Sequence, residues 1–271
     1  DLHRRRHSFP TRRSSDLATA KLSAQRDYNG TTALSNVTID TGVQGTDGVT
    51  NETLTFTGAA ADNKNVAANG SNFVKSITLA NGANGGVASN YTYVSNYDSV
   101  NNHVTINRAA LSVTATAVTK TYDGTVNATG TGTVGTLAGA GDFVYNAGVQ
   151  EFLDKNYGIN NRNVRAYGVS IKDAFNTDVS NNYNISYIDN VTSTINQAAL
   201  TVKVNDTTMF VTQDARTATN QLYSYSGFKN GESAANALNG GALVAANRSY
   251  TDPANTLVAY HPTAGTYSGV Y

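Results

Sequence analysis

The chain of 271 residues has no cysteine and no tryptophan, one methionine and three prolines. Without cysteine, disulfide staples and thiolate metal sites are excluded; the compartment stays open, because an exported repeat protein can do without thiols. No apolar run approaches the roughly 18 residues of a membrane span, so no transmembrane segment is expected. Long helix formers are few. Asn, Thr, Gly, Ala, Val and Tyr fill the chain instead, a mixture suited to strands and tight turns.

Residues 1–17 stand apart from this composition. Asp1-Leu2-His3, then Arg4 to Arg6, then His7-Ser8-Phe9-Pro10-Thr11-Arg12-Arg13-Ser14-Ser15-Asp16-Leu17 resemble a translated short-read sequencing adapter, the three arginines filling its variable index. The segment is set aside as non-native, and the native reading starts at Ala18. A rival reading as a nucleic-acid-binding arm or transit peptide is weaker, because the match runs through every fixed position. Setting the segment aside takes Lys plus Arg from 19 to 14 and Asp plus Glu from 19 to 17, a net charge of about −3 instead of zero. Nothing basic remains to neutralise phosphates, so no nucleic-acid partner is expected.

The native residues repeat themselves. Thr105-Ile106-Asn107-Arg108-Ala109-Ala110-Leu111-Ser112-Val113 returns 89 residues later as Thr194-Ile195-Asn196-Gln197-Ala198-Ala199-Leu200-Thr201-Val202. Tyr28-Asn29-Gly30-Thr31 returns as Tyr122-Asp123-Gly124-Thr125, and Asn90-Tyr91 as Asn182-Tyr183. Self-similarity at a fixed period marks a tandem array, in which function comes from length and surface more than from one buried site. Three repeats follow: residues 18–110, 111–199 and 200–271. At about 90 residues, each buries only some 60 to 70% of its unfolded surface, so contacts with neighbours would help. Only Asn107-Arg108-Ala109-Ala110 separates Ile106 from Leu111, with no Gly/Ser- or Pro-rich linker, and a semi-rigid rod of repeats is expected.

Alternation predicts the strands. Leu111, Val113, Ala115 and Ala117 fall on one face, as do Leu200, Val202 and Val204. Further strand candidates are Val37 with Ile39, Leu54 with Phe56, Ile77 with Leu79, Val104 with Ile106, Ile185 with Tyr187, and 191–195. Turns are expected at Asn29-Gly30, Asn69-Gly70, Asn81-Gly82, Asp123-Gly124 and Asn230-Gly231, residue types that tolerate positive φ. The fold class is therefore all-β, built of tandem antiparallel β-sandwich-like repeats. The third repeat departs from the pattern: 230–240 predicts one helix of about two turns, Pro253 and Pro262 follow, and Ala264-Gly265-Thr266-Tyr267 reads as a turn into a final strand.

Several of these residues carry a family resemblance. Lys120-Thr121-Tyr122-Asp123-Gly124-Thr125, Gly141-Asp142, Phe152 with Asp154-Lys155-Asn156, Asn181-Asn182-Tyr183 and the closing Ile195-Asn196-Gln197-Ala198-Ala199-Leu200 resemble the YDG repeat of bacterial filamentous-haemagglutinin-type adhesins. The first repeat is similar to a diverged copy, with Asn29 where the motif has Asp and Asp62-Asn63-Lys64-Asn65 in place of Asp-Lys-Asn. The third, with Leu200-Thr201-Val202, 228–234 and Gly265-Thr266-Tyr267, resembles the MBG domains that accompany such repeats. The resemblance implies a large secreted or surface-exposed protein of Gram-negative type, exported with an outer-membrane transporter; the expected role is a repeat stalk that displays a distal binding region, the alternative being repeats whose exposed strand faces themselves bind glycan or host surface protein. It implies no catalytic residue.

The residues by themselves assemble no chemistry either. Gly130-Thr131-Gly132-Thr133-Val134-Gly135 satisfies G-x-G-x-x-G, but the dinucleotide fingerprint needs a following helix to receive the pyrophosphate, and Gly139 and Gly141 come almost at once. His103 and His261 are single and far apart in sequence, and read as ordinary surface or turn histidines. Asp123, Asp142, Asp154 and Asp173 lack the dense spacing of a calcium loop. Tyr122-Asp123-Gly124 reads as structural, with Tyr packing or hydrogen-bonding at a strand end while Asp-Gly makes the turn. No catalytic, cofactor-binding or metal residue is expected, and no enzyme.

Overall fold

The structure, a computed structural model, describes residues 17–46, 48–204, 223–238, 249–251, 257–258 and 268–270. The adapter-like segment up to residue 16, His261, Pro253, Pro262 and the turn at 264–267 lie outside the described residues. In the first repeat the strands are β1 (Ala18–Asp27), β2 (Thr38–Asp40), β3 (Leu54–Ala61), β4 (Val74–Asn81), β5 (Tyr91–Tyr93) and β6 (Asn102–Asn107). The second holds β7 (Ala109–Thr114), β8 (Thr119–Thr121), β9 (Asn127–Ala128), β10 (Thr133–Val134), β11 (Phe143–Phe152), β12 (Gly158–Lys172), β13 (Tyr183–Ile188) and β14 (Asn190–Asn196). The third holds β15 (Thr201–Val204), β16 (Tyr223–Ser226), the helix α1 (Ala234–Ala237), β17 (Ser249–Thr251), β18 (Leu257–Val258) and β19 (Ser268–Val270). Besides three short 3-10 turns, α1 is the one helix among the described residues, and the protein is all-β.

Two compact units result. One runs to Thr116 and adds Thr129–Glu151 and Arg165–Asn190; the other takes Ala117–Ala128, Phe152–Val164 and everything from Val191. The second repeat thus contributes to both, and β11 and β12 are long enough to be divided between them. In the first unit the fully buried side chains include Leu22, Tyr28, Val74, Ile106, Val113 and Ile171; in the second they include Phe152, Val164 and Ile195.

Pairing is not antiparallel throughout. Hairpins such as β3 with β4 are antiparallel, and β2 and β10 lie antiparallel against β1 and β7. The strand that opens each of the first two repeats runs parallel to the strands that close it. β1 pairs in parallel with β5 and then β6; β7 pairs in parallel with β13, and β8 with β14. Alternation reveals which face is buried and says nothing about strand direction, because the pleat period is two in both kinds of sheet.

Two local departures have clear causes. Leu111, Val113 and Ala115 are buried as expected, but Ala117 is exposed and Val118 is buried. The strand breaks after Thr114 and resumes at Thr119, and the break shifts the alternation by one residue. Among the five expected turns, Gly30, Gly70, Gly124 and Gly231 all have positive φ. Gly82 does not; a Cβ there would lie 2.2 Å from the Thr53 carbonyl oxygen, so close backbone approach calls for glycine instead. The expected two-turn helix is a single turn, Ala234–Ala237, entered through Ser233, whose N–H donates to Asn236 Oδ1 at 2.6 Å.

Asparagine also does more than make turns. Asn102 is fully buried; its amide donates to the carbonyls of Val74 (3.0 Å) and Val94 (2.7 Å) and accepts from the Val74 N–H (2.9 Å). The side-chain amide stands in for a missing strand partner, which satisfies backbone groups that burial would otherwise leave unpaired.

Candidate functional site at the joints between repeats

The two repeated signatures meet in space. The N–H of Tyr28 donates to the carbonyl of Asn107 at 2.9 Å, and that of Tyr122 to the carbonyl of Asn196 at 2.8 Å. The Thr-Ile-Asn strand end and the Tyr-x-Gly turn of one repeat therefore form a single surface. In both copies the turn is locked by its second residue. Asn29 Oδ1 accepts from the N–H (3.0 Å) and hydroxyl (2.9 Å) of Thr31, and Asp123 Oδ1 from the same groups of Thr125 (2.9 Å each). Asp123 also accepts from Lys120 Nζ at 2.8 Å, which with the turn hydrogen bonds pulls its carboxyl down to about 2.

Each tyrosine then reaches a carboxylate of the next repeat. Tyr28, only 1% exposed, donates its hydroxyl to Asp142 at 3.1 Å. Tyr122 donates to Glu232. The receiving turns share a shape: the Asp142 N–H donates to the Gly139 carbonyl (3.1 Å) and the Glu232 N–H to that of Lys229 (2.9 Å), with Gly141 and Gly231 both at positive φ. Backbone contact completes the fit. The Ala140 N–H donates to the Asn29 carbonyl at 3.0 Å, and Asn230 Nδ2 to the Gly124 carbonyl at 3.1 Å. A Cβ on Gly30 would lie 2.5 Å from the Ala140 nitrogen, and one on Gly124 2.5 Å from the Asn230 Cβ, so glycine is needed at both seats.

The first joint, wholly within the first unit, is the more elaborate. Tyr183 donates to the same Asp142 at 2.7 Å, accepts from the Gly139 N–H at 2.9 Å and meets the Tyr28 ring edge-on at 5.5 Å. Asn182 accepts from the Val66 N–H (2.9 Å) and donates to Asn65 Oδ1 (2.8 Å), while Lys64 pairs with Asp173 at 3.2 Å. Burial first, then Asp142, pushes the Tyr28 hydroxyl up to about 12, and burial raises Tyr183 as well. In the second joint, within the second unit, Lys155 pairs with Glu232 at 3.1 Å; the hydrogen bond from Tyr122 and then the lysine hold that carboxyl below its usual range. Tyr91 donates to Glu52 inside the first repeat as Tyr183 does to Asp142 inside the second.

The four aspartates weighed as calcium ligands are thereby dispersed. Asp123 closes a turn, Asp142 sits in the first joint, Asp154 accepts from Arg162 at 2.6 Å, and Asp173 takes Lys64 and the N–H groups of Phe175 and Thr177. Among the described residues no group of three or more His, Asp or Glu is placed to hold a metal. The G-x-G-x-x-G string runs from a turn at Gly130 into β10, and the next element is the strand β11 where the fingerprint needs a helix. His103 lies half-buried on β6, its Nδ1 buried without a hydrogen-bond partner among the described residues.

Sequence reasoning assigned Tyr122 to a strand end and Asp123-Gly124 to its turn, which is where they are, but it missed Glu232 and the pairing of tyrosine with carboxylate. A signal was present: Gly141-Asp142 and Gly231-Glu232 are 90 residues apart, close to the spacing of the tyrosines. No family model, curated protein or solved structure matches this chain.

Proposed function

We propose that this chain is part of the repeat stalk of a large secreted or surface-exposed bacterial adhesin of Gram-negative type, a spacer that displays a distal binding region and is exported through an outer-membrane transporter. The observation that supports this most is the recurrence of one joint: Tyr28 on Asp142 and Tyr122 on Glu232, each fed by the same Thr-Ile-Asn strand end. A contact that repeats with the sequence period serves propagation of an array, whereas an active site needs to occur once. The parallel pairing of opening and closing strands fits the same purpose, because a repeat entered and left in one direction hands the chain on at its far end.

Small-angle scattering of residues 18–271 tests the reading. An elongated particle that lengthens when a further copy of residues 111–199 is inserted agrees with it, and a compact globule sinks it.

A second reading, in which the repeats themselves bind glycan or host protein, is favoured by one surface of the first unit. Tyr167 and Tyr187 are exposed beside the Arg165–Glu151 ion pair (2.5 Å) and Asp189, around a hollow of about 360 Å³. Aromatic faces next to fixed charges suit sugars and polar peptides alike. Glycan-array binding that disappears in Tyr167→Ala would favour it; silence across arrays and host-cell binding would leave the spacer role.

A further inference from the structure

Strand β15 opens the third repeat as β1 and β7 open the first two. On one edge the three are alike: Leu22 pairs antiparallel with Ile39, Val113 with Val134, and Val202 with Tyr225. On the other edge they differ. β1 carries β5 in parallel, with Ala18 opposite Tyr91, and β7 carries β13, with Ala109 opposite Tyr183. Among the described residues, β15 has no partner on that edge. The segment leading into it also borders the second joint, where a cleft of about 710 Å³ is lined by Ala199, Leu200, Phe228, Tyr122, Lys155 and Glu232. Leu200 and Val202 are 38% and 40% exposed, whereas their counterparts Leu111 and Val113 are at 3% and 0%.

The missing partner has a matching candidate in the same unit. Among the described residues, β19 lies at the edge of the β18-β17-β19 sheet and is paired on one side. In the sequence it sits between Tyr267 and Tyr271, the same spacing as Tyr183 and Tyr187, which both lie in the paired part of β13. We propose that β19 adds in parallel to the open edge of β15, with Leu200 opposite Gly269 and Thr201 opposite Val270. This goes beyond the spacer reading and does not depend on it. The addition covers the apolar side chains of β15 and closes a strand edge that would otherwise recruit other chains. It also gives the third repeat the same opening-strand arrangement as the first two.

A chain without cysteine makes the test clean. Adjacent strands lie about 4.8 Å apart, within disulfide reach. The corresponding pair in the second repeat, Ser112 and Ser186, faces solvent on both strands. Thr201→Cys with Val270→Cys is expected to form an intramolecular disulfide under mild oxidation, read by peptide mapping of the monomer. The offset pair Thr201→Cys with Ser268→Cys is expected to cross-link at least tenfold more slowly. Equal cross-linking of both pairs, disulfide-linked dimers, or no cross-link in the folded chain would each overturn the proposal. As a second readout, Gly269→Pro in the full chain should speed amide exchange across Thr201–Val204 at least tenfold; unchanged exchange would also overturn it.

Discussion

The two joints use one contact in two environments. At the first, Tyr28 is buried, its carboxylate partner is shared with Tyr183, and Asn182 and Lys64 add contacts around it. At the second, Tyr122 is only half-buried and Glu232 is shared with a lysine that is 43% exposed. The donor and the turn geometry are nearly the same, so the difference shows what burial and the surrounding contacts contribute together. A hydrogen bond to a charged group is worth more when neither partner has water as an alternative, and ion pairs open to solvent are screened.

Mutations can break this comparison in graded steps. Tyr28→Ala should be the most damaging, costing about 3–5 kcal/mol by urea unfolding through lost aromatic packing, with Tyr122→Ala costing less than half as much. Equal losses would mean that burial is not what separates the joints. Gly30→Ala combines a left-handed backbone (φ +77°) with a clash on Ala140, whereas Gly70→Ala (φ +91°) meets open space. The first is expected to lose about 2–3 kcal/mol and the second about 1. Tyr28→Phe removes only the hydroxyl and should cost about 1.5–3 kcal/mol, against less than about 1 for Tyr122→Phe.

Alkaline titration separates the joints without mutation. The Tyr28 hydroxyl is raised from its ordinary value of 10.0 to about 12, so the neutral form is favoured in the folded chain. Its contribution to stability is complete below pH 10 and is lost as pH rises from 10 toward 12. Ultraviolet titration at the phenolate band should show late-ionising tyrosines, Tyr28 and Tyr183 among them, and one fewer in Tyr28→Phe. The smallest effect is expected from Lys155→Ala, a slight loss in urea unfolding that vanishes at high salt, because an exposed ion pair is screened.

Much of this was legible in the sequence. Glycine after Asn or Asp marked four of five turns by their positive φ, and the alternation at Leu111, Val113 and Ala115 marked a buried face. The joint was half legible: the repeated Tyr-x-Gly was visible, but its acceptor lies 114 residues away at Asp142 and 110 away at Glu232, and no local pattern connects residues so far apart. Parallel pairing was hidden for a similar reason, since it joins the first strand of a repeat to its last.

The twin passages mark the limit most directly. Ala109-Ala110-Leu111-Ser112-Val113 and Ala198-Ala199-Leu200-Thr201-Val202 differ only by Ser for Thr, and by itself this sequence determined that each would open a β repeat with Leu and Val on one side. Tertiary structure decided the rest. The first passage has β13 beside it and is buried, while the second borders an open cleft. Local sequence sets which side of a strand is apolar; burial of that side requires a partner strand, and the partner is supplied by chain tens of residues away.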